Sequence, residues 1–217
     1  MAGLAASFGS GAMTNSAQEI EGSDCIFIIG SNTSVAHPLI ATRVFRAKAR
    51  GAKVIVADPR KIPIVLQSDL HLQHRLGTDV ALINGLMHII LKNGWEKKAF
   101  VEERTENFEE LKKVVEKYLP ERVSEITGVP VTDLEKAAQY YAKAERGSIL
   151  YTMGITQHTT GVDNVKSLAN LSMLTGNIGR ESTGVNPLRG QNNVQGACDM
   201  GGLPNVYTGY QAVTDQA

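Results

Sequence analysis

Arg189-Gly190-Gln191-Asn192-Asn193 packs a cation, a glycine and three side-chain amides into five residues, with Gln195 and Asp199 close behind. A guanidinium there can hold a small carboxylate through two parallel hydrogen bonds. The amides suit a ligand dense in donors and acceptors, such as a pterin or a guanine. A polar surface loop with an exposed arginine has the same composition, so the segment alone leaves both readings open. Four shorter clusters carry related chemistry. Gly30-Ser31-Asn32 combines backbone amides with an amide side chain, a setting that suits phosphate where a helix begins. In Asp58-Pro59-Arg60 a carboxylate can accept from a ribose or a base edge, and the arginine can meet a phosphate. Gly77-Thr78-Asp79 offers a second helix start. Met153-Gly154 with Gln157 joins a glycine that permits close backbone approach to a two-sided amide.

Other chemistry is weaker. His71 and His74 stand three apart in an expected strand, so they face opposite sides and cannot share a metal. His37-Pro38 reads as a helix entry. Cys25 lies in an apolar run and belongs to the core, whereas Cys198 sits in a Gly-rich loop, is open to exposure, and has no basic neighbour to activate it. The two cysteines lie far apart, with no CxxC and no Cys/His cluster. That pattern reads as reduced thiols and not as a disulfide scaffold or a zinc module, and it excludes an iron–sulfur cluster held by this chain alone. No Ser/His/Asp arrangement emerges.

The elements that must position these clusters alternate. Cys25–Ile29 is a continuous apolar strand of the kind buried on both faces, and Lys53–Ala57 is a second buried strand. Pro38 to Arg50 reads as a helix, with Pro in its first turn and Gly51 as its stop. A third strand covers 69–73. A helix over 79–92 repeats Val80, Ile83, Leu86, Met87, Ile90 and Leu91, with Thr78 or Asp79 as its cap and Asn93-Gly94 as its end. Pro120 and Gly128 divide the charged stretch 95–146 into short helices, the last about 132–144. A strand over 148–153 and a helix over 162–174 follow. Residues 1–22 show no capped amphipathic pattern, and from Thr175 onward the chain is Gly- and Asn-rich. Strand and helix in alternation specify an α/β fold with a mainly parallel sheet, and ligands bind such sheets at the carboxyl ends of the strands. Four of the clusters fall at those ends, which points to a nucleotide-like ligand. The first turn is not GxGxxG, so the NAD or FAD fingerprint is missing.

Composition narrows the class. The 217 residues carry 22 Lys+Arg and 22 Asp+Glu, and 42% are hydrophobic. Zero net charge argues against a nucleic-acid binder acting through bulk electrostatics, and the hydrophobic share rules out wholesale disorder. No apolar run is long enough to span a bilayer, and no secretory leader is visible, so a cytoplasmic location is expected.

The clusters taken together resemble the catalytic subunit of molybdenum- or tungsten-dependent formate dehydrogenases, within the molybdopterin oxidoreductases. The motifs that carry the resemblance begin with Gly9-Ser10-Gly11-Ala12-Met13-Thr14-Asn15, Gly30-Ser31-Asn32 with His37-Pro38, and Ala57-Asp58-Pro59-Arg60-Lys61. Leu76-Gly77-Thr78-Asp79-Val80-Ala81-Leu82, Met153-Gly154-Ile155-Thr156-Gln157 and Leu174-Thr175-Gly176-Asn177-Ile178-Gly179 follow. The longest and most specific runs from Gly184 through Arg189-Gly190-Gln191-Asn192-Asn193 to Gly201.

The resemblance implies a Rossmann-like α/β fold with helices on both faces of the sheet, over residues 1–191. Residues 192–217 would then begin a neighbouring, incomplete domain. It implies a Mo or W ion held by two molybdopterin guanine dinucleotides. Gly30, Asn32, Asp58, Pro59, Arg60, Gly77 and Asp79 match dinucleotide-holding positions. Met153, Gly154, Gln157, Gly190 and Gln191 match positions lining the pterin, and Arg189 matches the arginine that orients formate. The implied partners are formate, the remaining domains of the subunit, and electron-transfer subunits or a ferredoxin-like acceptor. In the family a selenocysteine or cysteine beside a histidine ligates the metal just before the position of Ala2. Four cysteines for a [4Fe–4S] cluster lie further upstream. Neither set is present here, so the chain is expected to be a fragment that is inactive alone. A nitrate reductase fragment and a standalone noncatalytic nucleotide-binding module are the other readings.

Overall fold

The computed structural model describes residues 2–214; Met1 and 215–217, the outer ends of the two expected domain ranges, lie outside it. The described residues hold strands β1 (Cys25–Ile29), β2 (Lys53–Ala57), β3 (Leu70–Leu72), β4 (Gly147–Tyr151) and β5 (Gly184–Pro187). They form one sheet in the order β3-β2-β1-β4-β5, every pair parallel. Ile29 lies level with Ala57 on one side and Tyr151 on the other, so three carboxyl ends are flush. The order reverses between β1 and β4, the point at which loops from neighbouring strands part and leave a crevice.

The helices are α1 (Ala2–Phe8), α2 (Thr33–Ala36), α3 (Pro38–Ala49), α4 (Asp79–Lys92), α5 (Lys98–Arg104) and α6 (Phe108–Val115). After them come α7 (Pro120–Thr127), α8 (Val131–Ala142), α9 (Met153–Thr156), α10 (Gly161–Leu174) and α11 (Val194–Asp199). Pro38 and Pro120 open α3 and α7, where a missing amide costs nothing. Gly51, Gly94 and Gly128 end helices with positive φ.

Successive strand residues alternate between two cores. Cys25, Phe27, Ile29, Ile55, Ile149, Tyr151 and Val185 face α4, α8 and α10. Ile26, Ile28, Val54, Val56 and Leu150 face a thinner layer made of α3 and the 3₁₀ turns Gln18–Gly22 and Pro63–Gln67. The fold is α/β with a parallel sheet covered on both faces.

Several elements depart from the sequence reading. The first 22 residues hold α1, although no periodicity marks it. Its Leu4 is buried, and Gly3 lets it lie so close to α10 that a Cβ there would meet Val165 Cβ at 2.8 Å. The strand expected over 148–153 runs from Gly147 to Tyr151, and Met153 opens α9 instead of closing the strand. The Gly- and Asn-rich stretch hides β5, whose four residues are all buried, and α11. Cys198 is 5% exposed within α11, not open in a loop. His74 lies beyond β3. Neither Thr78 nor Asp79 caps α4 through its side chain: Thr78 Oγ1 donates to the Arg75 carbonyl, and Asp79 Oδ1 meets His74 Nε2 at 3.0 Å. Both members of that pair are buried, and each satisfies the other, which outweighs an end-of-helix bond that water can replace.

Candidate functional site

The loops after β1 and β4 cross at the switch point, backbone against backbone at Gly30 and Gly154. Gly154 N–H donates to the Gly30 carbonyl at 3.1 Å, and Thr152 Oγ1 donates to the same oxygen at 2.7 Å. A Cβ on Gly154 would meet Gly30 O at 2.5 Å, and one on Gly30 would meet Gly154 C at 2.7 Å. Beside this crossing, β4, α9 and the segment after β5 enclose a cleft of about 230 Å³, lined among others by Tyr151, Met153, Gln157, Arg189, Gly190 and Gln191. Gly190 packs on the Met153 thioether, where a Cβ would come within 2.7 Å of Cε. The side-chain amides of Gln157 and Gln191 both rest on Met153 Sδ, at 3.4 and 3.5 Å. Sulfur is a weak acceptor, so both amides keep donors to offer a ligand.

Arg189 is tethered at two points. Its Nη2 donates to the Gly11 carbonyl at 2.8 Å, and its own carbonyl accepts from His37 Nε2. The remaining guanidinium donors stay available. Burial pushes the Tyr151 phenol at the cleft wall well above its ordinary pKa, against the opposing charge of Arg189, so it stays protonated. Six expected site residues, Met153, Gly154, Gln157, Arg189, Gly190 and Gln191, are thereby brought together.

A second group occupies the ends of β1 and β2. Asn32 Oδ1, Ser34 Oγ and His37 Nδ1 are buried without a hydrogen-bond partner. Asp58 is 4% exposed, and its Oδ1 accepts from the Arg60 backbone N–H at 2.9 Å. Arg60 Nε stands 3.5 Å from the same oxygen, but its side chain is 73% exposed and reaches into solvent. His71 Nε2 and Gln73 Nε2 brace the carbonyls of Asp58 and Pro59, at 3.0 and 2.9 Å. The third turn, after edge strand β3, divides. Gly77 is exposed with φ +75° and open space around it, whereas Asp79 faces inward to His74. Asp79 therefore fixes the turn and does not present its Oδ1 to a ligand.

The sequence reading missed His37, Ser34 and Tyr151 as site members. His37-Pro38 signals a helix entry, and nothing in its spacing predicts contact with a loop 152 positions away. Size does not mark the site either. Larger cavities, about 810 and 740 Å³, lie beside α5 and away from the strand ends. Among the described residues no group of three or more His, Cys, Asp or Glu is placed to hold a metal ion.

Residues 3–216 match the family model of the molybdopterin oxidoreductases. The chain belongs to the molybdopterin oxidoreductase family. Among the relatives of this molybdopterin oxidoreductase chain is the F420-dependent formate dehydrogenase subunit alpha of Methanocaldococcus jannaschii, 59% identical over 98% of this chain and 32% of the relative. Formate dehydrogenase H of Escherichia coli is 50% identical over 100% of this chain and 30% of the relative. Acetylene hydratase from Pelobacter acetylenicus superposes with a TM-score of 0.68 at 28% identity, over 74% of this chain and 24% of that one. The chain thus spans about a third of the length of these formate dehydrogenases.

The strand-end surface fits a molybdopterin on two counts. Three buried polar atoms there await partners, which native proteins rarely leave unmet. The Gly30–Gly154 crossing and Gly190 also keep the crevice clear of Cβ atoms.

Proposed function

We propose that this chain is part of the catalytic subunit of a formate dehydrogenase, which oxidises formate to CO2 and passes on two electrons. The gathering of Arg189, Gly190, Gln191, Met153 and Gln157 around one cleft at the switch point carries this reading. In it, Gly30, Asn32, Asp58, Pro59, Arg60 and Gly77 hold molybdopterin guanine dinucleotide, with Asp79 shaping its turn. Met153, Gly154, Gln157, Gly190 and Gln191 line the pterin. When bound, the Mo or W centre supplies the two-electron acceptor.

The chain's own residues bind and orient. The free face of the Arg189 guanidinium takes the formate carboxylate, while the bond to Gly11 keeps it from swinging. Tyr151, protonated and buried, closes the wall behind it against water. The metal's protein ligand and the [4Fe–4S] cluster come from other parts of the enzyme, so the 217-residue chain alone is inactive. Residues 1–191 form the dinucleotide-binding domain, and the segment from 192 begins its neighbour. Electron-transfer subunits or a ferredoxin-like acceptor receive the electrons, and the cytoplasm is the location that fits. No helix among the described residues is long and apolar enough to cross a membrane.

Arg189→Ala in the complete enzyme tests the reading. Losing a charge-assisted bond worth about 1.5–3 kcal/mol should raise KM for formate roughly 10- to 100-fold, with cofactor content unchanged. Unchanged saturation by formate would remove Arg189 from this role. Formate oxidation by the isolated chain above a metal-free control would overturn the claim that it is inactive alone.

A further inference from the structure

One imidazole touches both halves of the site. His37 Nε2 bonds the Arg189 carbonyl, and a carbonyl only accepts, so Nε2 carries the ring proton. Nδ1 therefore presents a lone pair, and it is buried with no partner. Asn32 Oδ1 and Ser34 Oγ are buried and unpartnered within the same six residues, between the end of β1 and the start of α3. A loop that hides two acceptors and a hydroxyl is built for a ligand that brings N–H or O–H donors.

We propose that His37 is a positioning residue: a ligand seated on the β1 loop donates to Nδ1, and the ring so fixed holds the Arg189 peptide through Nε2–H. An imidazole bonded at one nitrogen can still tilt about its side-chain torsion, whereas one bonded at both is pinned in place and in tautomer. Arg189 is the residue that gains. Its guanidinium is tied to Gly11 at one end and its carbonyl to His37 at the other, so a drifting carbonyl moves the substrate-binding group. Cofactor occupancy would thereby set the aim of the arginine. The inference rests on the reading of Arg189 as the formate-binding residue.

Nuclear magnetic resonance of the 217-residue chain with isotope-labelled histidine and arginine tests the link. The His37 ring should be in the Nε2–H tautomer. The Arg189 carbonyl carbon resonance should move in His37→Ala and return in His37→Gln, whose amide can donate to the same oxygen. An Nδ1–H tautomer, or an unmoved carbonyl resonance in both variants, overturns the positioning role. If the alanine variant does not fold, the tautomer of the His37 ring still decides. Guanosine diphosphate is the ligand probe, and its binding should shift the Nδ1 resonance in the direction of hydrogen-bond acceptance. Binding without that shift overturns the link. Failure of the probe to bind overturns the nucleotide reading of the β1 loop and the Nδ1 half with it, while the carbonyl data still decide the Arg189 half.

In the complete formate-oxidising enzyme, His37→Ala should raise KM for formate about tenfold, lower kcat by less, and leave cofactor content unchanged. His37→Gln should recover most of that loss. Equal loss in both variants accompanied by loss of cofactor would mean a merely structural role and would sink the proposal.

Discussion

Gly154→Ala should destabilise the chain by about 2–4 kcal/mol. The added Cβ would sit 2.5 Å from Gly30 O and 2.7 Å from Gly30 Cα. Both are backbone atoms of a loop held by Thr152, so no rotamer change can relieve the overlap. Overpacking of this kind costs about 1–3 kcal/mol, and losing the bond from Gly154 N–H to Gly30 O adds about 1 kcal/mol. Gly154 has no positive φ, so its cost carries no torsional part. Gly77 is the converse. Its φ is +75° and a Cβ would meet nothing within 4 Å, so Gly77→Ala should cost only the torsional penalty, about 1–2 kcal/mol. Gly30 combines both conditions, with φ +56° and Gly154 C at 2.7 Å, and Gly30→Ala should cost about 2–5 kcal/mol. The Gly30/Gly154 double variant should cost less than the sum, because both substitutions pry apart the same crossing. Urea unfolding followed through the fluorescence of Trp95, the single tryptophan, reads all four variants against the wild type. A Gly154→Ala chain within about 0.5 kcal/mol of wild type would refute the close crossing, as would a Gly77→Ala chain less stable than Gly30→Ala.

Three further predictions test other parts of the fold. Hydrogen bonds from Asn15, Ser16 and Ser182 hold the Glu19 carboxyl at about 2, below its ordinary 4.5. Its folded-state pKa is the lower one, so its stabilisation is present above pH 4.5 and disappears as pH falls toward 2. Glu19→Gln should flatten the stability profile in that window, and a profile parallel to wild type would contradict the assignment. In mid-α4, Gly85→Ala should gain about 1 kcal/mol of helix propensity yet destabilise overall, because its Cβ would meet Val123 Cγ1 at 2.8 Å. Val123→Ala should partly rescue it, and purely additive effects in a double-mutant cycle would exclude the contact. Burial, with the charges of Asp69 and Asp24, pushes the Cys25 thiol far above its ordinary range. It should resist a thiol reagent at pH 8 until urea unfolds the chain, with Cys25→Ser as control, and prompt labelling of the native chain would show that strand β1 is not sealed.

Where local signals and burial agree, the sequence was enough. β1 is an unbroken apolar run, β2 is one after its leading Lys53, and α4 repeats its apolar residues at helical spacing between a Thr-Asp start and an Asn-Gly stop, so their bounds read directly. Elements set by tertiary contact were not legible. α1 carries no periodicity and exists because Gly3 admits it onto α10. β5 reads Gly-Val-Asn-Pro and becomes a strand only through its pairing with β4. The candidate site residues were nominated by type at strand ends, since the fold class itself points to those ends. The bond between Asp79 and His74 was not legible, because His74 is reached only once the chain turns after β3. The contact of His37 with Arg189 was not legible because it depends on a loop that folds back from the far end of the chain.

The unequal covering of the two sheet faces has a dynamic consequence. The face carrying α4, α8 and α10 holds most of the buried side chains, whereas the other rests on α3 and two 3₁₀ turns. Cooperative units with few buried contacts open at lower free energy than the whole molecule unfolds. Amides of α3 should therefore exchange with solvent deuterium through a sub-global opening, while those of α4 and α10 exchange only when the chain unfolds. The loop bearing Asn32, Ser34 and His37 leads directly into α3, so it sits on the less stable unit. A ligand that satisfies those three atoms would slow exchange there first, and the cofactor would then act as the fastener of the thinner half.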